Sequence, residues 1–243
     1  MKTRLRLLPL IVLLLAGPAG AAAPLELQIV HRPPYLIVQP DGQLGGIAAK
    51  PALAAFKDAG IAVTWREVPA LRQLHRLKEN QERICSVGWY KTWEREQFAK
   101  FTDPVSQDGP YVAFANDGLR MPAKPTVHAV LADARTTVLI KSGFVYGDFL
   151  DREIAQMKAQ RKETRADMPQ LLTMVELGRA QITFAPIEEL DYYYANRTAA
   201  TRGGRIVRFD EMPSGYKRHL MCSKRVEDAV IARFNAALAK LKG

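Results

Sequence analysis

Short segments in which every second residue is apolar alternate along this chain with longer stretches that are apolar at helical spacing. Leu25, Leu27 and Ile29 alternate with polar neighbours and predict a strand leading into Val30. The run His31-Arg32-Pro33-Pro34-Tyr35 ends it, because neither proline can donate to a sheet. Asp41-Gly42 marks a turn. Gly45-Gly46 opens a predicted helix that reaches about Ala59 and stops at Gly60, with Pro51 in its first turn. Val63 and Trp65 mark a second strand. Pro69 starts a helix whose apolar face carries Leu71, Leu74 and Leu77. Ile84, Cys85, Ser86 and Val87 read as a third strand ending at Gly88. This β-α-β-α-β order implies a mostly parallel sheet.

A polar stretch with prolines and glycines, residues 102–110, interrupts the pattern, which then restarts. Strands are expected at 111–115, 137–140, 182–185 and 206–209, and helices at 147–159, 169–177 and 186–196. Gly178 suits the end of the second of these helices. A second irregular stretch, 210–215, precedes a strand near 219–222. The final helix shows Val226, Val230, Phe234, Leu238 and Leu241 at near-helical spacing. The expectation is an α/β chain of two lobes with two hinge crossings and a central cleft, where ligands commonly sit. Residues 24–107 and 212–243 would form lobe 1, and 108–211 an inserted lobe 2.

The N-terminus reads differently. Lys2, Arg4 and Arg6 precede the apolar run Leu7–Leu15, and small residues follow, ending Ala21-Ala22-Ala23. Such a segment is expected to be a cleavable secretory signal peptide, residues 1–23. Its apolar run falls short of the roughly 20 residues that a membrane span needs. The protein is therefore expected in the periplasm, as a monomer. The formal charge of +10 drops to about +7 without those three cations. That excess favours anionic partners. Export and the scatter of the basic residues argue against nucleic acid.

Two cysteines, Cys85 and Cys222, remain in the exported chain. An even count in an oxidising compartment favours a disulfide. Two separate buried thiols are the alternative.

Chemistry concentrates at Gly88-Trp89-Tyr90-Lys91-Thr92-Trp93-Glu94-Arg95, just beyond the carboxyl end of a predicted parallel strand, where ligands bind in open α/β sheets. Thr92 can cap a short helix whose first turn projects Arg95. A guanidinium there can hold a carboxylate or phosphate through two parallel hydrogen bonds. Most arginines, however, are surface charges, and composition alone would pair Arg95 with Glu94 or Glu96. In the second lobe, Ser142-Gly143-Phe144-Val145-Tyr146-Gly147 enters a helix. Its backbone N–H groups could receive an anion, or it could be an ordinary turn. Tyr192-Tyr193-Tyr194 spans most of a helical turn and is read chiefly as core. His31, at the cleft mouth, is read as structural.

The motif Gly88-x-x-x-Thr92-x-x-Arg95, followed by Phe98-Ala99-Lys100-Phe101-Thr102-Asp103-Pro104, resembles the signature of family 3 extracellular solute-binding proteins, the polar amino-acid receptors of ABC importers with the type II periplasmic binding fold. Arg32-Pro33-Pro34-Tyr35, Gly46-Ile47, residues 138–143 and Asn235-Ala236-Ala237-Leu238 resemble further landmarks in the same order. The resemblance implies that Arg95 clamps a ligand carboxylate, with Gly88, Trp89 and Tyr90 around it. It also implies that Tyr35 packs on the ligand, and that Lys141 and Ser142 touch it from the second lobe. Where the family carries an Asp for the ligand's ammonium, this chain has Pro186, with Glu188 and Glu189 just beyond; Glu188 is the candidate replacement. Ala48 and Ala49 replace acidic residues, and the family's C-terminal aromatic tail is missing. In this topology the returning strand lies antiparallel beside the strand of Cys85, which brings Cys222 within disulfide reach.

The expected function is capture of a small anionic solute, an amino acid or related carboxylate, for an ABC permease, with no cofactor. A sensory or accessory binding protein is the alternative. A periplasmic dehydratase-like enzyme on the same scaffold would need a general acid such as Glu188 or His31. The sequence shows no His/Cys metal spacing, nucleophile elbow or phosphate-binding loop.

Overall fold

The computed structural model describes residues 23–197 and 203–241; the expected signal peptide, apart from Ala23, and the chain end at Lys242-Gly243 lie outside the described residues. The first part of the chain runs β1 (Leu25–Ile29), β2 (Ile37–Val38), β3 (Leu44–Gly45), α1 (Ala49–Asp58), β4 (Val63–Glu67), α2 (Ala70–Glu79), β5 (Ile84–Tyr90), α3 (Trp93–Glu96), β6 (Ala99–Phe101) and β7 (Ser106–Gln107). The second part runs β8 (Tyr111–Asn116), α4 (Val127–Leu131), β9 (Thr137–Lys141), α5 (Asp148–Gln156), β10 (Gln160–Thr164), α6 (Met168–Glu176), β11 (Ile182–Pro186), α7 (Ile187–Asn196) and β12 (Gly204–Val207). β13 (Lys217–Ser223) and α8 (Asp228–Lys240) complete it.

Two main sheets result. The first has the order β4-β1-β5-β13-β6, with β7 also paired to β13. β1 is parallel to β4 and β5, while β13 returns antiparallel to β5. The second has the order β10-β9-β11-β8-β12. The chain thus leaves the first sheet after β7 and rejoins it at β13, making two crossings between lobes.

Each sheet owns a core, because each apolar strand face must be covered. In the first lobe α1 and α8 cover one face, with Phe56 and Phe234 at 4.6 Å between ring centroids. Leu25, Leu27 and Ile29 lie beneath them. In the second lobe apolar clusters form on both faces, around Val138, Ile140 and Phe184 on one and Leu139, Leu171 and Leu172 on the other. The returning strand is secured covalently within the first sheet, since Cys85 and Cys222 face each other across the β5–β13 ladder and form a disulfide. Their Cα atoms are 4.0 Å apart, inside the usual lower bound of about 4.4 Å.

Several expected boundaries move. α1 begins at Ala49, three residues past Gly46, and Pro51 occupies its first turn as required. β5 continues through Gly88 to Tyr90, and β12 ends at Val207, before Phe209. Leu71 does not join the core: it is exposed and lines the cleft, while Gln73 and Leu77 form the buried face of α2. α4 and β10 had no sequence signal strong enough to predict them.

Candidate functional site

The carboxyl ends of β1, β5 and β9 converge on the space between the lobes. A cavity of about 330 Å³ lies there, lined from the first lobe by Val30–Pro33 and Pro69–Leu71 and from the second by Lys141, Ser142, Phe144 and the segment around Met168. A smaller cavity of about 50 Å³ shares Val30, Arg32, Ala70 and Phe144 with it and extends to Gly88, Trp89, Tyr90, Arg95 and Arg218.

Arg95 reaches this inner cavity from α3. The Thr92 hydroxyl accepts from the Arg95 N–H at 3.3 Å and so caps the helix that aims the side chain. The side chain is buried, donates from Nη1 to the Tyr90 carbonyl at 2.8 Å, and lies 4.8 Å from the centre of the Trp89 ring. It makes no ion pair with a carboxylate among the described residues. Burial lowers its pKa to about 10, so the guanidinium stays charged near neutrality but badly solvated. Glu94 and Asp151 support its charge from beyond ion-pair distance, so its remaining donors are open to an anion.

Trp89 is held by its own support: its indole N–H donates to Gln73 Oε1 at 2.9 Å, while Gln73 Nε2 donates to the Val68 carbonyl at 2.7 Å. The Tyr90 hydroxyl donates to Asp108 and meets Tyr111, so it is engaged within the protein, and the residue lines the inner cavity. Gly88 has φ +84° and gives its carbonyl to Arg218. Arg218, unforeseen from the sequence, is buried and forms a two-pronged ion pair with Asp108 at 2.6 and 2.7 Å. Its guanidinium lies 3.6 Å from the centre of the Tyr35 ring. Tyr35 is consequently packed under a protein cation, and burial pushes its hydroxyl pKa well up. Nothing at Lys217-Arg218-His219 distinguishes Arg218 from a surface cation in the sequence.

On the second lobe Lys141 ends β9 and lies 4.7 Å from the centre of the Phe144 ring. Burial, then the nearby Arg32, lower its pKa to about 8. It too has no ion pair among the described residues. Ser142 donates its hydroxyl to Glu163 at 3.2 Å at the cavity edge. Of the two readings of 142–147, the hydrogen bonds favour the ordinary turn: Asp151 accepts from Tyr146 and Gly147 N–H at 3.0 and 3.1 Å, and the Ser142 and Phe144 N–H groups go to the Thr164 and Lys141 carbonyls.

Glu188, the candidate partner of a ligand's ammonium, has both oxygens engaged within the protein. It borders neither cavity; one oxygen accepts from the Gly109 N–H and the other from the Tyr35 hydroxyl at 3.1 Å. Glu188 therefore links the outgoing crossing, lobe 2 and the Tyr35 loop. The reason is its place in the first turn of α7, which turns it toward Gly109. His31 lines the larger cavity, and its Nδ1 accepts from the Val38 N–H at 3.1 Å. Tyr193 joins the core and Tyr194 packs against it. No group of metal ligands occurs among the described residues.

A search of curated proteins returns no match. Among solved structures, an ancestral arginine-binding protein bound to glutamine superposes with a TM-score of 0.69 at 18% identity, covering 90% of this chain and 91% of that one. A Salmonella typhimurium periplasmic binding protein with high arginine specificity gives 0.67 at 18%, over 90% and 92%. A periplasmic His/Glu/Gln/Arg/opine family-binding protein from Silicibacter pomeroyi in complex with lysine gives 0.69 at 18%, over 90% of each chain. At such identity these likenesses establish the two-lobed fold and not the ligand. The family model for bacterial extracellular solute-binding proteins, family 3, matches residues 29–243, most of the chain. With its two lobes, its cleft and that match, the chain belongs to the family 3 extracellular solute-binding proteins.

Proposed function

We propose that this protein captures a small anionic solute, an amino acid or related carboxylate, between its lobes and delivers it as a monomer to an inner-membrane ABC permease. The observation that supports this most is Arg95, a buried guanidinium aimed into the inner cavity with no carboxylate of its own. The rest of the lining agrees. Lys141 and Arg165 add two further cations, whereas Asp167 is the one carboxylate lining either cavity among the described residues. One oxygen of Asp167 already caps α6 through the Gln170 N–H at 2.9 Å. An anion bound between Arg95 and Lys141 would touch both lobes and so favour the closed form.

In this reading Tyr35, Gly88, Trp89, Tyr90 and Ser142 shape the walls. Residues 24–107 and 212–243 form lobe 1, residues 108–211 form lobe 2, and residues 1–23 direct export to the periplasm. The solved relatives were bound to glutamine and lysine, or are described as arginine-specific. These ligands share an α-carboxylate, the group assigned to Arg95, and an α-ammonium, and differ in their side chains.

The test is a thermal-shift screen of amino acids, organic acids and small anions on the mature chain. A ligand should raise the melting temperature, and Arg95→Met should abolish the rise while leaving the circular dichroism intact. An equal rise in that variant refutes the clamp. Co-purification with a permease, as against a sensor kinase, tests the partner.

A further inference from the structure

The cleft lining already contains a cation bound to a buried acid behind it. Glu189, on α7, has a fully buried side chain, and both of its oxygens are taken by Arg32: Nε donates to Oε1 at 2.5 Å and Nη2 to Oε2 at 3.0 Å. Arg32 comes from the other lobe, in the loop after β1, and borders both cavities. Its guanidinium is further held by ring faces from the two lobes, 4.4 Å from the centre of Phe144 and 5.8 Å from that of Tyr35. Burial works against its charge, but the Glu189 carboxylate outweighs burial and its pKa stands above the usual arginine value.

This is the way a receptor holds a ligand's ammonium or guanidinium: a desolvated carboxylate opposite, aromatic faces alongside. Here the protein supplies the cation itself. A ligand carrying its own amino group would have to displace Arg32. Otherwise it would sit, stripped of water, among Arg32, Lys141 and Arg95, where Asp167, already the cap of α6, is the one carboxylate lining the cavities among the described residues. We infer that Arg32 is a built-in counter-ion occupying the cleft's cation site, which restricts the ligand to carboxylates without an amino group, such as oxo or hydroxy acids. The inference rests on the assignment of Arg95 as carboxylate clamp. It predicts that removing Arg32 exposes Glu189 to the cleft and converts the selectivity.

The experiment is calorimetric titration with matched pairs, pyruvate against alanine and 2-oxoglutarate against glutamate, on the parent chain, Arg32→Met, Arg32→Met/Glu189→Gln and Arg95→Met. The parent should prefer the amine-free member of a pair by about tenfold or more, some 1.4 kcal/mol. Arg32→Met should reverse that preference, and the double variant should lose the reversal. A parent that binds the amino acid as tightly, or a folded Arg32→Met with unchanged preference, overturns the inference. Binding that survives in Arg95→Met instead removes the clamp, while the preference within each pair still reports on Arg32. If Arg32→Met does not fold, methylguanidinium is added to Arg32→Gly. Recovery of its melting transition, absent in the variant that also carries Glu189→Gln, supports the site; no recovery overturns it.

Discussion

Arg218 and Arg95 are buried against the same strand end, and both touch Tyr90, yet only one has a counter-ion. Arg218 spends its guanidinium on Asp108, Tyr90 and the Gly88 carbonyl, so it stiffens the floor of the cleft. Arg95 has a single carbonyl and a ring face, which leaves donors for a ligand. Lys141 is the corresponding residue of the other lobe, and its depressed pKa gives a test with a definite sign. With a pKa of about 8, caused first by burial and then by Arg32, Lys141 is mostly charged at pH 7 and loses its proton as pH rises through 8. An anion prefers the charged form, so its binding takes up protons near pH 8 and weakens above that. Stability of the unliganded chain runs the other way, increasing between pH 8 and about 10.4 because the unfolded chain still holds that proton. Titration calorimetry at pH 8 in buffers of different ionisation enthalpy should show proton uptake that vanishes in Lys141→Met. Affinity equal at pH 7 and pH 9 would remove Lys141 from the site. Arg95 could be picked out from the sequence because Thr92 and the end of a strand frame it within a motif, Gly88-x-x-x-Thr92-x-x-Arg95, that resembles the family signature. Arg218 could not, because its partner Asp108 lies 110 positions away.

The loop between β1 and α1 carries Arg32 and Tyr35, and its shape depends on one glycine. Gly46 has φ +109°, and the N–H groups of Ile47 and Ala48 donate to the Pro34 and Tyr35 carbonyls at 2.9 and 3.0 Å. A Cβ at Gly46 would stand 2.4 Å from the Tyr35 oxygen and 2.7 Å from the Pro34 oxygen, both backbone atoms that cannot swing aside. Gly42 also has positive φ, but a Cβ there meets nothing within 4 Å. Gly46→Ala is therefore expected to cost about 3 kcal/mol or more in urea unfolding, and Gly42→Ala about 1 kcal/mol from backbone strain alone. Gly46→Ala should also weaken ligand binding, since Tyr35 and Arg32 move with the loop. Equal costs for the two variants would contradict the packing. The elements differ in how far their sequences announce them. β8 and β11 bury every residue and stand out as largely apolar runs, and β1 shows itself by the alternation of Leu25, Leu27 and Ile29 with polar neighbours. β10, Gln-Arg-Lys-Glu-Thr, is an exposed edge strand held by its ladder to β9, so no hydrophobic pattern betrays it. Leu71 misleads in the opposite sense. Its helical spacing marks it for a core, but the surface it faces belongs to the other lobe, where it meets Gly143.

At the scale of the molecule, the chain rejoins its first sheet after a long excursion, and one covalent bond secures the return. The alternation of strands and helices, with two irregular stretches, was enough to read two lobes and to put the second cysteine on the returning strand. What it could not show was which side chains of one lobe meet the other, because Arg32–Glu189 and Tyr35–Glu188 join residues 157 and 153 positions apart. The Cys85–Cys222 bond spans 137 positions. Closing so long a loop in the unfolded chain removes entropy equivalent to about 5 kcal/mol. For a chain of this size, at roughly 2–4 °C per kcal/mol, Cys85→Ala/Cys222→Ala should melt some 10–20 °C lower by scanning calorimetry. Far-UV circular dichroism should be retained at 25 °C, because the β5–β13 ladder and the packing of α1 on α8 survive the change. Cys85 lies three residues before Gly88 on the strand that leads to Trp89 and Tyr90, and its side chain packs into the core beneath α1 and α8, away from the cleft. The folded double variant is thus expected to keep the ligand selectivity of the parent. A melting temperature within about 2 °C of the parent would mean that the ladder alone holds the returning strand. A changed selectivity would mean that the bond sets the position of the strand end that presents Arg95.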